Sequence, residues 1–214
     1  AQINVAIEVI KQVRDFFENN SVRNAVNMAS ISPEDLKELK PFIELAEKIG
    51  IIQSQLISAK GGIREVLLRY AGDISSSKIA PVTVACLKGL LQNIEEEVNF
   101  VNASFLAKQR EIKVKEVTVN KIDDLVNLLS VTVKSDEDEI TVSGTVFFEN
   151  NIRIIKIANY NVDISPNGYV LISKNEDVPG IVGKLGTKLA EANINIANMQ
   201  VSRDKNKKEA LMVT

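Results

Sequence analysis

The segment from residue 169 onward constrains the fold most, because it predicts the order strand, helix, strand, strand. Residues 169–173 have strand composition, and residues 175–180 form a loop before a helix with apolar positions three and four residues apart. Further strands are predicted over residues 194–201 and 210–213. The apolar stripe of such a helix packs against a sheet, so the segment predicts a two-layer α+β sandwich. A complete sandwich needs another helix and strand, and we therefore expect a truncated domain.

Residues 125–134 and 139–148 alternate between apolar and polar positions around an acidic turn, which predicts an antiparallel hairpin. More strands are predicted at 63–70, 112–117 and 152–157, and helices at 2–19, 81–97 and 102–110. Between Ser32 and residue 59 we predict three short helices that break at Pro41 and Gly50. The fold class is α/β (α+β) in three parts: a helical connector (1–40), an α/β domain (41–165) and the small truncated domain (166–214).

Composition excludes several functions. The chain has no His and one Cys, so the usual zinc ligands and His-activated nucleophiles are absent from the sequence. We predict no metal site, no catalytic residue and, without a G-x-G-x-x-G after a strand, no bound NAD. An enzyme subunit that uses carboxylates alone is the alternative. The net charge of −2 argues against nucleic acid as a partner. Without an apolar run of about 18 residues or a signal peptide, we expect no membrane contact and a cytoplasmic location.

The loop before the C-terminal helix suits a small zwitterion. Backbone N–H groups at a helix N-terminus attract a carboxylate, and Asp177 beside them can pair with an ammonium group. Gly180 allows a close backbone approach. The sequences of residues 177–183 and 193–196 resemble the ACT domain, a ferredoxin-like module that binds amino acids. The resemblance implies effector contacts at Asn175, Asp177, Pro179, Gly180 and Asn195. Taken alone, the same residues are also ordinary cap and turn residues.

Residues 101–110 and 144–157 resemble the allosteric-substrate-binding domain of long-form D-3-phosphoglycerate dehydrogenases, which has a relative in iron–sulfur L-serine dehydratases. The resemblance implies an anionic ligand such as phosphate or phosphoglycerate. The candidate cations are Arg153, Lys156 and Lys108, and solvated surface charge is the alternative for each of them.

Residues 1–6, 22–27 and 31–34 resemble the D-3-phosphoglycerate dehydrogenase family just after its catalytic histidine. The resemblance implies the regulatory portion of a homo-oligomeric, NAD-dependent enzyme of serine biosynthesis, with L-serine or a similar amino acid as feedback effector. The dinucleotide fingerprint and the catalytic histidine are then expected upstream of Ala1. One alternative is the regulatory domain of an iron–sulfur L-serine dehydratase, although its cluster needs several Cys. A stand-alone amino-acid sensor is the other.

Overall fold

A computed structural model describes residues 2–19, 33–57, 62–72, 74, 79–119, 126–204 and 208–214. The helices are α1 (Gln2–Asn19), α2 (Pro33–Leu56), α3 (Ala80–Leu91), α4 (Ala103–Gln109) and α5 (Ile181–Glu191). The strands are β1 (Ile63–Gly72), β2 (Lys113–Val119), β3 (Asn127–Ser135), β4 (Glu139–Phe147), β5 (Asn151–Ile157), β6 (Tyr160–Ile164), β7 (Ile172–Glu176), β8 (Gln200–Arg203) and β9 (Glu209–Val213). This is the mixed α/β class that the sequence predicts.

The predicted breaks in the second helical region are wrong, because α2 runs without interruption through Pro41 and Gly50. A proline inside a helix costs about 3 kcal/mol. Leu39 and Leu45 are both buried, one on each side of Pro41. Burying a leucine side chain contributes about 1.5–3 kcal/mol, so packing on both sides of the proline offsets its cost. The predicted connector boundary at residue 40 falls inside this helix, and Ser32, where the first of the three helices was predicted to start, lies outside the described residues.

The larger sheet has the order β2-β1-β3-β4-β5-β6, with β1 and β2 parallel and the remaining neighbours antiparallel. The predicted hairpin is confirmed as β3 and β4. Helices α2 and α3 cover one face, where the fully buried core includes Val66, Leu68, Leu129, Val131 and Val142. On the opposite face, hydroxyl groups pair across the same two strands, Ser130 with Ser143 at 2.9 Å and Thr132 with Thr141 at 2.8 Å. The sheet is therefore apolar on one side and polar on the other.

Two glycines allow α2 and α3 to cross at close range. A Cβ atom on Gly50 would lie 2.2 Å from the carbonyl oxygen of Cys86, and one on Gly89 would lie 2.2 Å from that of Glu47. Gly50 is thus a contact residue between helices and not the helix end that the sequence suggests. Helix α3 stops at Leu91, six residues before its predicted end at residue 97.

The smaller sheet has the order β7-β9-β8, and helix α5 connects β7 to β8. The predicted succession of strand, helix, strand and strand is confirmed, but the predicted bounds are not. β7 begins at Ile172, so the predicted strand start at Tyr169 is wrong. β8 overlaps the predicted 194–201 strand only at residues 200 and 201 and continues to Arg203. The central strand β9 is buried on both faces. Leu211 and Val213 join the core of the larger sheet, while Ala210 and Met212 face the other way.

Candidate functional site

A cleft of about 430 Å³ lies between β7, the loop that follows it and the start of α5. Pockets for small molecules typically have volumes of about 300–1,000 Å³. The lining combines polar groups from the loop with apolar side chains from α5, β8 and β9: Asn175, Asp177, Val178, Pro179, Gly180, Ile181, Val182, Val201, Arg203, Ala210 and Met212. Four of the five predicted effector residues therefore lie around one cleft.

Asn175 presents a buried acceptor to this part of the fold. It is on the same face of β7 as Ser173, opposite Ala210 of β9. Its Nδ2 donates to the carbonyl oxygen of Glu176 at 2.7 Å, which fixes the orientation of the amide. Its Oδ1 is buried and has no hydrogen-bond partner within the described part of the chain, and the same is true of Ser173 Oγ. A buried acceptor without a partner costs about 1–3 kcal/mol, which a ligand that donates to it would recover.

Asp177 forms an ion pair that the sequence did not predict. Its Oδ2 accepts a hydrogen bond from Nε of Arg203 at 2.8 Å. The Asp177 backbone N–H donates to the carbonyl oxygen of Lys208 at 3.0 Å and so ties the loop to the segment before β9. Because both partners of the ion pair line the cleft, the cleft offers one negative and one positive group.

Gly180 is the N-cap residue of α5 and has a φ of 90°, in the left-handed region that glycine tolerates best. It has no side chain to cap the helix, and the N–H groups of the first turn point toward the cleft end of α5. Among the residues that the structure describes, a Cβ atom at Gly180 would meet no atom within 4 Å. The glycine is therefore required by backbone conformation, and open space surrounds it.

Asn195 is the predicted effector residue that the structure does not bring to this cleft. It is exposed in the loop between α5 and β8 and is not among the lining residues. Its neighbour Asn193 has a structural role. With a φ of 56°, Asn193 ends α5, and the Ile194 N–H donates to the carbonyl oxygen of Leu189. Part of the Asn-Ile-Asn motif is thus explained by helix termination.

The three candidate anion-binding cations do not form one cluster. Arg153 and Lys156 lie on β5, opposite Thr145 and Ser143, and an extra residue between them places both on the polar face of the sheet. Lys108 belongs to α4, which packs beside β2 at the far edge. At about 4.8 Å per strand, β2 and β5 are roughly 19 Å apart. Arg153 is also paired already, with its Nε 2.7 Å from Oδ1 of Asp163.

The described residues, those of the cleft included, contain no group of three or more His, Cys, Asp or Glu side chains that could hold a metal ion. None of the described helices is long and apolar enough to cross a membrane. Cys86 is fully buried in the core, and burial raises the pKa of its thiol to about 12. Such a thiol remains protonated near neutral pH and is a poor nucleophile.

Both parts of the fold match known families. Residues 38–158 match the D-3-phosphoglycerate dehydrogenase intervening domain, and residues 169–214 match the ACT domain. A D-3-phosphoglycerate dehydrogenase of Archaeoglobus fulgidus is 39% identical over 208 residues, which are 97% of this chain and 39% of that protein. The Synechocystis enzyme is 36% identical over 214 residues, covering 99% of this chain and 38% of the relative. The Bacillus subtilis enzyme is 33% identical over 214 residues, 100% of this chain and 40% of the relative.

These matches define a chain with an ACT module beside a dehydrogenase intervening domain. The chain belongs to the D-3-phosphoglycerate dehydrogenase family. It spans about two fifths of the length of the curated relatives it matches. The predicted resemblance is therefore confirmed, and the dehydratase alternative loses its support.

Proposed function

We propose that the cleft binds a small amino acid, with L-serine as the first choice, and that the chain is the regulatory portion of a D-3-phosphoglycerate dehydrogenase. The observation that carries the proposal is the cleft itself. It joins a buried acceptor and a helix N-terminus, for which the described residues supply no hydrogen-bond partner and no side-chain cap, with an ion pair. A zwitterion supplies the complementary groups, because its ammonium donates hydrogen bonds and its carboxylate accepts them.

We assign the ligand carboxylate to the backbone N–H groups at the start of α5, where the helix dipole is positive. The ammonium is assigned to Asn175 Oδ1 and to Asp177. Arg203 contacts Oδ2 of Asp177, so Oδ1 is the oxygen that we assign to the ligand. Asn195 is exposed on another loop. We propose that it contacts the ligand bound to a second copy of the chain, in a homo-oligomer whose effector sites span the subunit interface.

In the whole protein we propose that serine inhibits NAD-dependent oxidation of 3-phosphoglycerate, the first step of serine biosynthesis, in the cytoplasm. The names of the relatives support this assignment. NAD and the catalytic groups would belong to other parts of the enzyme, so the 214-residue chain alone should not reduce NAD. Binding of phosphate or phosphoglycerate at Arg153 and Lys156 remains a prediction, and such an anion would compete with Asp163 for Arg153.

Isothermal calorimetry with L-serine on the 214-residue chain tests the proposal. Asp177→Asn keeps the size of the side chain and removes its charge, so serine affinity should fall at least tenfold. A hydrogen bond to a charged group contributes about 1.5–3 kcal/mol, which corresponds to that loss. Asp136→Asn is the matched control, because Asp136 also pairs with an arginine but lies on the β3–β4 turn. Unchanged serine affinity in Asp177→Asn would contradict the assignment.

A further inference from the structure

One side chain joins the edges of the two sheets. β6 is the last strand of the larger sheet, and β8 is an outer strand of the smaller one. The carboxamide of Gln200 on β8 accepts a hydrogen bond from the Asp163 backbone N–H at 2.9 Å and donates one to the Asp163 carbonyl oxygen at 2.8 Å. The side chain thus pairs with the main chain of β6 as a neighbouring strand would.

Arg153 holds the same residue from the other side. Its Nε lies 2.7 Å from Oδ1 of Asp163, and its Nη2 donates to the Asp163 carbonyl oxygen at 2.9 Å. That carbonyl oxygen therefore accepts hydrogen bonds from both Arg153 and Gln200. The Arg153 side chain is 22% exposed and that of Asp163 63%, so the ion pair lies at the surface, and the hydrogen bond from Nη2 to the Asp163 main chain adds to the contact. The position of Asp163 is fixed jointly by β5 and β8.

The strand that carries Gln200 also forms one wall of the cleft. β8 has four residues, and side chains along a strand alternate between its two faces. Gln200 and Ser202 share the face that meets the larger sheet, while Val201 and Arg203 line the cleft, where Arg203 pairs with Asp177. A continuous series of contacts therefore runs from Arg153 through Asp163, Gln200 and β8 to the acidic group of the cleft.

We propose that Arg153 is a positioning residue for the cleft. Through Asp163 and Gln200 it sets the placement of β8, and with it the placement of Arg203 and Asp177. The effect on ligand affinity rests on the proposed binding of a small amino acid, whereas the effect on β8 does not. This gives Arg153 a role that needs no external anion. Because Arg153 belongs to the larger sheet, a residue of the neighbouring domain then influences the geometry of the cleft.

The test compares Arg153→Gln with Arg64→Gln. Arg64 makes a similar exposed pair with Asp136, at 2.8 and 3.0 Å, on a turn far along the chain from β8. Two-dimensional ¹⁵N NMR of the unliganded 214-residue protein should show shifted amide signals at residues 201–203, 177–178 and 180–183 in Arg153→Gln and unchanged signals there in Arg64→Gln. Equal spectra over these residues in both variants would overturn the proposal.

Gln200→Leu provides a second route that leaves the Arg153–Asp163 pair in place. If Arg153 acts through Gln200, adding Arg153→Gln to Gln200→Leu should cause no further shift at Arg203, so the two effects are not additive. Additive shifts would overturn the proposed path. Serine calorimetry on the same variants should give affinity about three- to tenfold weaker in Arg153→Gln, and unchanged affinity in Arg64→Gln. Absence of serine binding in the unmodified chain would refute the proposed function, while the NMR comparison would still decide the role of Arg153.

Discussion

The crossing of α2 and α3 makes Gly50→Ala a sharp test of the packing. A Cβ atom at Gly50 would lie 2.2 Å from the Cys86 carbonyl oxygen and 2.8 Å from the Leu90 nitrogen. Both neighbours are backbone atoms of a helix, so neither can rotate away as a side chain could. The methyl group fits only if the helices separate, and separation would loosen the contacts of Leu45, Ile49 and Leu90, all of which are fully buried.

Two opposing terms set the magnitude. Alanine in a helix interior is favoured over glycine by about 0.8–1 kcal/mol. Overpacking a tight core costs about 1–3 kcal/mol, and the rigid backbone contact places Gly50 at the upper end of that range. The variant should therefore be less stable by about 1–2 kcal/mol. Gly89→Ala should behave alike, because its Cβ atom would lie 2.2 Å from the Glu47 carbonyl oxygen.

Urea denaturation followed by circular dichroism measures this difference as a lower transition midpoint at an unchanged slope. Gly186→Ala is the matched control. Gly186 lies inside α5, and a Cβ atom there would meet no atom of the described residues within 4 Å. The control should gain stability from helix propensity alone. A Gly50→Ala protein as stable as the unmodified chain would refute the close crossing.

Two further predictions concern the environments of Cys86 and Asp136. The buried Cys86 thiol, with its pKa raised to about 12, should resist a disulfide reagent at pH 8 in the folded protein and react at once in guanidinium; rapid reaction of the native protein would contradict its burial. The hydrogen bond from Arg64 lowers the pKa of the Asp136 carboxyl below its ordinary value. A lowered folded-state pKa stabilises the fold above the unfolded-state pKa, and this contribution is lost as the pH falls through the folded-state value. An NMR titration of Asp136 should therefore show a higher pKa in Arg64→Gln, and equal values would contradict the pairing.

Local sequence signals predicted the elements whose pattern reflects their own surroundings. Alternation identified β3 and β4 because one face of each is buried and the other carries paired hydroxyl groups. Local signals gave the wrong result for α2. Pro41 and Gly50 usually end helices, but here tertiary packing around them outweighs that local preference. β6 was not predicted at all. Its five residues do alternate between buried apolar and exposed polar side chains, a signal that the reading of the sequence missed.

The residues of the candidate site were likewise predicted where the signal is local and missed where it is not. Asn175, Asp177, Pro179 and Gly180 were predicted because they belong to one continuous loop whose backbone chemistry is local. Arg203 was missed because its partner Asp177 is 26 positions earlier in the chain. The alternation of Val201 and Arg203 along β8 is the signal that would have placed both on one face. No such signal existed for the Asp163–Gln200 contact, which forms only when two separate sheets meet.

The double hydrogen bond of Gln200 also bears on how the larger sheet avoids unspecific strand pairing at its edges. An open sheet edge can template strand addition from another molecule, which leads to aggregation. At one edge of the larger sheet, every residue of β2 is exposed, and Lys113, Lys115 and Glu116 place charges along it. At the other edge, the N–H and C=O of Asp163 are occupied by the carboxamide of Gln200. The fold thus protects one edge against intermolecular pairing with charge and the other with a single neutral side chain.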